Sequence, residues 1–222
     1  MIYLIITTCI NNKFGIQNYE HRKNLYLYSI RKTLEYIPKD IKVIIVENNG
    51  KRTTYLDDLG VDVHYTTNNS NTYFHKGINE LQDIHSVIQS YNIQDDDIII
   101  KMTGRYHLLN DSFINFVLNN DYDAGVKYYN VCTFKYELND CVLGLYAIKC
   151  KFIKQFQYKN MNKSPEMEFA EFTRSLNHCE IKDLGLRCCF ADNLKILDYL
   201  SMEVNNGKRV IESAILDKLL IN

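Results

Sequence analysis

The sequence predicts an α/β fold: a three-layer sandwich whose central sheet is mostly parallel, with an antiparallel C-terminal part. Three observations carry this reading. Residues 2–6 (IYLII), 42–46 (KVIIV) and 98–100 (III) are apolar runs rich in β-branched side chains. Strands that are apolar on both faces belong between two helical layers. Residues 22–37 and 77–91, which separate these runs, show helical spacing instead. The resulting β-α-β-β-α-β order calls for right-handed crossovers and a parallel sheet.

Each element has its own signal. In 22–37, Leu25, Tyr28, Ile30, Leu34 and Ile37 roughly follow a helical repeat, and Pro38 closes it. Residues 61–65 form a short strand. In 77–91, Ile78, Leu81, Ile84, Ile88 and Tyr91 share one helix face. Residues 111–118 read as a helix capped by Asp111 or Ser112. Residues 124–129, 131–136 and 141–148 are strands close in sequence, so some are antiparallel. Ser164 and Pro165 supply the cap and first turn of a helix to about 176. Residues 180–190 hold another strand, and 194–204 and 210–220 read as terminal helices. With no repeat, low-complexity linker or Pro/Gly-rich boundary, one domain over 1–222 is expected.

The chain has 222 residues, 46% apolar and 24% charged, with a formal net charge of -1. Such values exclude disorder, collagen and coiled coil. Near-zero charge argues against salt-driven nucleic-acid binding, so nucleic acid is not an expected partner. The 17 Tyr and abundant Asn, Ile and Lys, with only 2 Pro, point to an AT-rich genome, viral or microbial. The seven cysteines are odd in number and widely scattered, without a CxxC pair. That pattern fits neither a disulfide framework nor a zinc site, and it suits core thiols in a reducing compartment. No signal peptide and no apolar stretch of bilayer length stand out, so a soluble, cytoplasmic protein without a membrane span is expected.

In open α/β sheets, ligands sit beyond the carboxyl ends of parallel strands. The first strand ends at Thr7 and Thr8, the second at Glu47, Asn48 and Asn49, and the third at Thr103, Gly104, Arg105 and Tyr106. Glu47 is placed to accept from ribose hydroxyls or a base N–H, or else to start the Asn48-Asn49-Gly50 turn. Lys76 and Gly77 open a helix, where a lysine beside free backbone N–H groups suits a pyrophosphate. Arg22 lies within reach of the same crevice. Asp95, Asp96 and Asp97 invite a divalent cation. They precede the third strand, however, at the end away from the crevice, and a solvated turn is the better reading.

The order KVIIVENN, HKGINEL and DDDIIIKMTGRY resembles the nucleotide-binding half of GT-A glycosyltransferases, and the likeness covers about residues 1–190. It implies a nucleotide-binding half (1–110), an acceptor half (111–190) and C-terminal helices (191–222). Gly144-Leu145-Tyr146-Ala147-Ile148 resembles the acceptor-side strand. Pro165-Glu166-Met167-Glu168 resembles the acidic helix start that often supplies the catalytic base, so Glu166 and Glu168 are its candidates. One departure stands out. The Asp-x-Asp metal slot holds Thr103-Gly104-Arg105, and Arg105 offers a planar fork suited to phosphate oxygens.

The expected activity is transfer of a sugar from a nucleotide-diphosphate donor, a UDP-sugar as first guess, to a glycan or protein hydroxyl. Metal independence is the first choice. Mn²⁺ or Mg²⁺, with Asp95 and Asp97 as weak metal ligands, is the alternative. A noncatalytic sugar-nucleotide or partner-binding module and a nucleotidyltransferase stay open beside it. The missing Gly-rich loop after the first strand lowers the last.

Overall fold

The computed structural model describes the chain except residues 12, 14–16, 51, 72–75, 129–139, 161, 190–195, 200–201, 206–207 and 212–222. The side chains of Lys76 and of the strands beyond 195 are also outside the description. The elements run β1 (Ile2–Thr8), α1 (Tyr19–Leu34), β2 (Ile41–Glu47), β3 (Asp62–Tyr65), α2 (Lys76–Ser90), β4 (Ile98–Thr103), β5 (His107–Leu108), α3 (Ser112–Asn119) and β6 (Ala124–Tyr128). They continue with β7 (Cys141–Lys149), α4 (Cys150–Gln155), α5 (Pro165–Arg174), β8 (His178–Glu180), β9 (Leu186–Cys189), β10 (Ile196–Tyr199), β11 (Met202–Asn205) and β12 (Lys208–Ile211).

A seven-stranded sheet in the order β3-β2-β1-β4-β7-β6-β8 forms the middle layer. β3, β2, β1 and β4 are mutually parallel, β7 is antiparallel to both β4 and β6, and β8 is parallel to β6. The expected α/β class with an antiparallel later part is therefore present. A step from β1 to β2 goes toward one edge, and the step from β3 to β4 returns across the sheet. Right-handed crossovers then put α1 and α2 on opposite faces. Two cores record this. Leu4, Ile6, Ile45 and Ile100 pack with Tyr26 and Ile30 of α1 and Phe113 of α3. Tyr3, Ile5, Ile44 and Ile99 pack with Leu81 and Ile84 of α2 and Phe169 of α5. Alternate residues of one strand feed opposite cores, which is why the runs read as apolar throughout.

The helices start where their caps dictate. Asn18 accepts from the His21 N–H at the head of α1, and Ser164 does the same for Met167 at the head of α5. Cys141, Cys150, Cys188 and Cys189 are buried free thiols, Cys9 and Cys179 are half-buried, and Cys132 lies outside the described residues. Among the described residues no helix is long and apolar enough to cross a membrane.

Segment 180–190 holds a strand as expected, the shorter β9, in a three-stranded sheet with β10 and β5, and β8, in the large sheet, ends at Glu180 before it. Gly185, at φ +49, turns the chain between them, and a Cβ there would meet the Asn110 side chain. The terminal helices expected over 194–204 and 210–220 are not helices where described. β10 pairs antiparallel with β9, and β11 pairs antiparallel with β12. Tertiary pairing overrides the helical spacing of that segment. Finally, β5 and α4 were not anticipated. The strand expected over 131–136 falls outside the described residues.

Candidate functional site

The register of the sheet brings the polar strand ends together. Thr7 lies beside Thr103 across β1 and β4, Thr8 beside Glu47 across β1 and β2, and Glu47 beside Tyr65 across β2 and β3. β1 has β2 on one side and β4 on the other, so the chain reverses its winding here, which opens a crevice.

On the α1 side of this edge, Glu47 is fully buried and organises the loops. Its carboxylate accepts from Thr8 Oγ1 at 2.8 Å, from the Ile10 N–H at 3.1 Å and from the Asn49 N–H at 3.2 Å. The Asn49 side-chain amide donates to it as well. A buried carboxylate needs such donors to offset desolvation. Glu47 therefore carries the turn role foreseen for it, and it holds the β1 and β2 tips in one frame. Next to it, the Tyr26 hydroxyl accepts from Arg22 Nη1 at 3.2 Å and from the Cys9 N–H at 3.1 Å. Burial pushes the half-buried Cys9 thiol up to about 11, which favours the protonated thiol.

On the α2 side, Lys101 is buried in the middle of β4. Its ammonium donates to Glu80 Oε2 at 2.8 Å, Thr103 Oγ1 at 2.9 Å and the Leu143 carbonyl at 3.1 Å. Burial works to raise the Glu80 carboxyl, but the Lys101 charge beside it wins and holds it below its ordinary value. Thr7 Oγ1 reaches the other Glu80 oxygen at 3.4 Å. One turn further along α2, Asp83 accepts from Asn48 Nδ2 at 3.0 Å, Thr66 Oγ1 at 2.6 Å and Asn68 Nδ2 at 2.8 Å. It pins the β2 and β3 tips to the helix. Sequence reading missed Lys101, Glu80 and Asp83. The available signal was Lys101 itself, because a charge inside an otherwise apolar strand has to be paired.

Arg105 follows the β4 tip. Its Nε–H donates to the Cys189 carbonyl at 3.2 Å, and its own carbonyl accepts from Ser29 Oγ at 3.1 Å. Arg105 and Glu80 lie close enough for each to favour the other's charged form. Gly104 donates its N–H to the Thr7 carbonyl at 2.9 Å, and a Cβ on it would sit 2.9 Å from the Thr8 methyl. Its smallness thus allows the close packing against β1. Tyr106 is buried with its ring over Gly144, where a Cβ would fall 2.1 Å from a ring carbon. That contact gives Tyr106 a packing role.

Glu166 and Glu168 both lie in the first turn of α5. The Glu168 carboxylate accepts the N–H groups of Lys159 and Asn160, each at 2.9 Å, so it clasps the preceding loop. Glu166 is different: burial raises its pKa, and it is near enough to Glu80 and Lys101 to feel both. Gly77, Glu80, Lys101, Tyr146 and Tyr158 line a small hollow on this side. Lys76 begins α2, and Gly77 is buried beside it.

Asp97 accepts from the N-terminal ammonium at 2.7 Å and Asp95 from Lys154 Nζ at 2.6 Å. Both stand at the opposite, amino edge of the sheet. The donor set at the β4 tip does not fit the divalent cation that a GT-A fold implies. Thr103, Gly104 and Arg105 offer no carboxylate, and Glu80 is taken by Lys101. Among the described residues no three His, Cys, Asp or Glu side chains group as metal ligands.

No family model and no curated protein matches the sequence. Solved structures do match in fold. The mannosyltransferase PcManGT from Pyrobaculum calidifontis, in complex with GDP-Man and Mn²⁺, aligns at TM-score 0.51 and 10% identity over 81% of this chain. The chain spans about half of that protein, 54%. An active-site mutant of LgtC aligns at TM-score 0.51 and 9% identity, over 81% of this chain and 72% of LgtC. CMP:2-keto-3-deoxy-manno-octonic acid synthetase complexed with CTP aligns at TM-score 0.51 and 8% identity, over 81% and 89%. At such identities the likeness is one of architecture, and the chain has a GT-A-like α/β fold.

Proposed function

We propose that this protein is a glycosyltransferase that moves a sugar from a nucleotide-diphosphate donor to a hydroxyl acceptor. The observation that carries the reading is the meeting of Thr7, Thr8, Glu47, Thr103 and Arg105 along one carboxyl edge of the parallel strands, with Lys101 beneath. In this reading Thr8 and Asn48 serve the nucleoside, with Glu47 holding their frame and Arg22 behind them, and Arg105 and Lys76, at the start of α2, serve the diphosphate.

In such a transfer the bond from the anomeric carbon to the diphosphate oxygen breaks, and a bond from that carbon to the acceptor oxygen forms. Charge builds on the leaving diphosphate, and a fixed guanidinium lowers that barrier without a metal. Binding at the strand edge also positions the anomeric carbon against the acceptor. Glu166 takes the acceptor proton in this scheme. Its raised pKa makes it a better base than an ordinary carboxylate.

The test is a panel of UDP-, GDP- and dTDP-sugars, read by thermal shift and by donor turnover, with Mn²⁺ or with EDTA. Turnover that survives EDTA is the expected result. Loss of turnover in EDTA defeats the arginine role. Tight donor binding without turnover would point to a noncatalytic module. Condensation of a nucleoside triphosphate with a sugar phosphate would point to a nucleotidyltransferase.

A further inference from the structure

The geometry points to Glu80 as a specificity-determining residue, whose carboxylate accepts a hydrogen bond from a hydroxyl of the transferred sugar. The inference deepens the proposed donor site and rests on it.

Three carboxylates of β2 and α2 stand at this edge, and two of them are already filled. Glu47 is fully buried, and its oxygens accept from Thr8 Oγ1, from the Ile10 N–H and from both the N–H and the side-chain amide of Asn49. A carboxylate offers about four acceptor positions, so these donors occupy it. Asp83 is fully buried as well and accepts from Asn48, Thr66 and Asn68. Glu80 differs on both counts. Its side chain is 33% exposed, and among the described residues it has one firm donor, Lys101 Nζ at 2.8 Å from Oε2. Thr7 Oγ1 reaches Oε1 only at 3.4 Å. About two acceptor positions therefore stay open to a ligand.

Charge selects what fills them. The Lys101 ammonium holds Glu80 ionised, and an ionised carboxylate accepts without donating, so the ligand group has to be a donor. Lys101 and Arg105 both lie near this one carboxylate, and a third positive charge is disfavoured there. The ammonium that bars a metal ion thus leaves room for a neutral hydroxyl. Place selects the sugar among the parts of the donor. Glu80 lines the hollow on the α2 side with Gly77, Leu81, Lys101, Tyr146 and Tyr158, whereas Glu47 and Tyr26 stand on the α1 side. Apolar walls with a few fixed polar groups are the usual build of a small-molecule site. Lys101 also donates to Thr103 at the β4 tip, so Glu80 is one step from the diphosphate position, to which the sugar is joined.

Calorimetric titration of the whole chain tests this with UDP, GDP and dTDP and with UDP-glucose, UDP-galactose, GDP-mannose and dTDP-glucose. Each sugar nucleotide is compared with its own free nucleotide. The ratio of the two affinities isolates the sugar, because a change in local charge or in the fold acts on both ligands. In Glu80→Gln the amide keeps its oxygen for Lys101 and presents N–H donors in place of the open oxygen. For the preferred sugar nucleotide the ratio is expected to fall about tenfold to a hundredfold, the loss typical of a hydrogen bond to a charged group. The same donor with single hydroxyls replaced by hydrogen or fluorine is expected to lose as much at one ring position, and in Glu80→Gln that position no longer matters. If Glu80→Gln is poorly folded, Glu80→Leu/Lys101→Met, which removes both charges, replaces it.

An unchanged ratio in the variant overturns the inference and leaves the donor-site reading standing, even where turnover is abolished, since Glu80 then acts on something other than the bound sugar. A wild-type chain that binds each free nucleotide as tightly as its sugar nucleotides does the same. A chain that binds none of the probes overturns both.

Discussion

Lys101 and Glu80 form an ion pair of unequal members: Nζ and Oε2 are 2.8 Å apart, yet the lysine side chain is 2% exposed and the glutamate 33%. The asymmetry predicts which truncation hurts more. Removing the glutamate strands a buried ammonium, whereas removing the lysine leaves a carboxylate that water can still reach. Glu80→Ala is expected to destabilise by about 3 kcal/mol and Lys101→Met by about 1–2 kcal/mol. Urea unfolding of the two variants checks the order, and equal losses would refute it.

Gly144→Ala forces the Tyr106 ring away from β7, because the added carbon would overlap it. Overpacking of this kind costs about 1–3 kcal/mol. Since the Arg105 guanidinium lies 6.0 Å from the same ring, the displacement should also reach donor binding. The expected result is a lower urea midpoint together with weaker nucleotide binding. A midpoint shift alone would separate the ring from the site.

Burial pushes the Asp83 carboxyl up to about 6, against three donors that work to lower it. In the unfolded chain the group returns to about 3.8. The folded state therefore holds a proton that the unfolded state releases. The stability tied to this proton is full below pH 3.8 and is lost as pH rises through about 6. The loss is of order 3 kcal/mol. Thermal unfolding from pH 4 to pH 8, compared with Asp83→Asn, should show the wild type losing ground relative to the variant. Parallel curves would contradict the assignment.

Glu166→Gln is expected to cut transfer by about 10²–10⁴ while donor affinity holds. Glu168→Ala removes a clasp on two backbone N–H groups instead, so it should lower stability by about 1–2 kcal/mol with far less effect on turnover. The acid limb of the activity profile should lie above the ordinary carboxylate range, because burial raises Glu166. Steady-state rates against pH measure this, and a larger turnover loss in the Glu168 variant would reverse the two roles.

The parallel half of the sheet was legible because β1, β2 and β4 are apolar on both faces and end abruptly in polar residues. The tips followed from strand order alone. What sequence could not supply was partnership. Glu80 and Asp83 read as solvated helix charge until α2 is docked against the strand ends, where Asp83 is buried and Glu80 faces Lys101. Lys101 looked like the end of an apolar run, and only its three partners show why it is tolerated there. β10 has residues at helical intervals, and its conformation was decided by β9, which offered a ladder to join.

Two moorings hold Arg105. The Ser29 hydroxyl, 76 positions earlier, grips its carbonyl, and the Cys189 carbonyl, 84 positions later, receives its Nε–H. Neither anchor belongs to the strand that carries the arginine. Heredity can thus shift this residue's backbone from one flank of the gene and its guanidinium from the other without touching the strand edge.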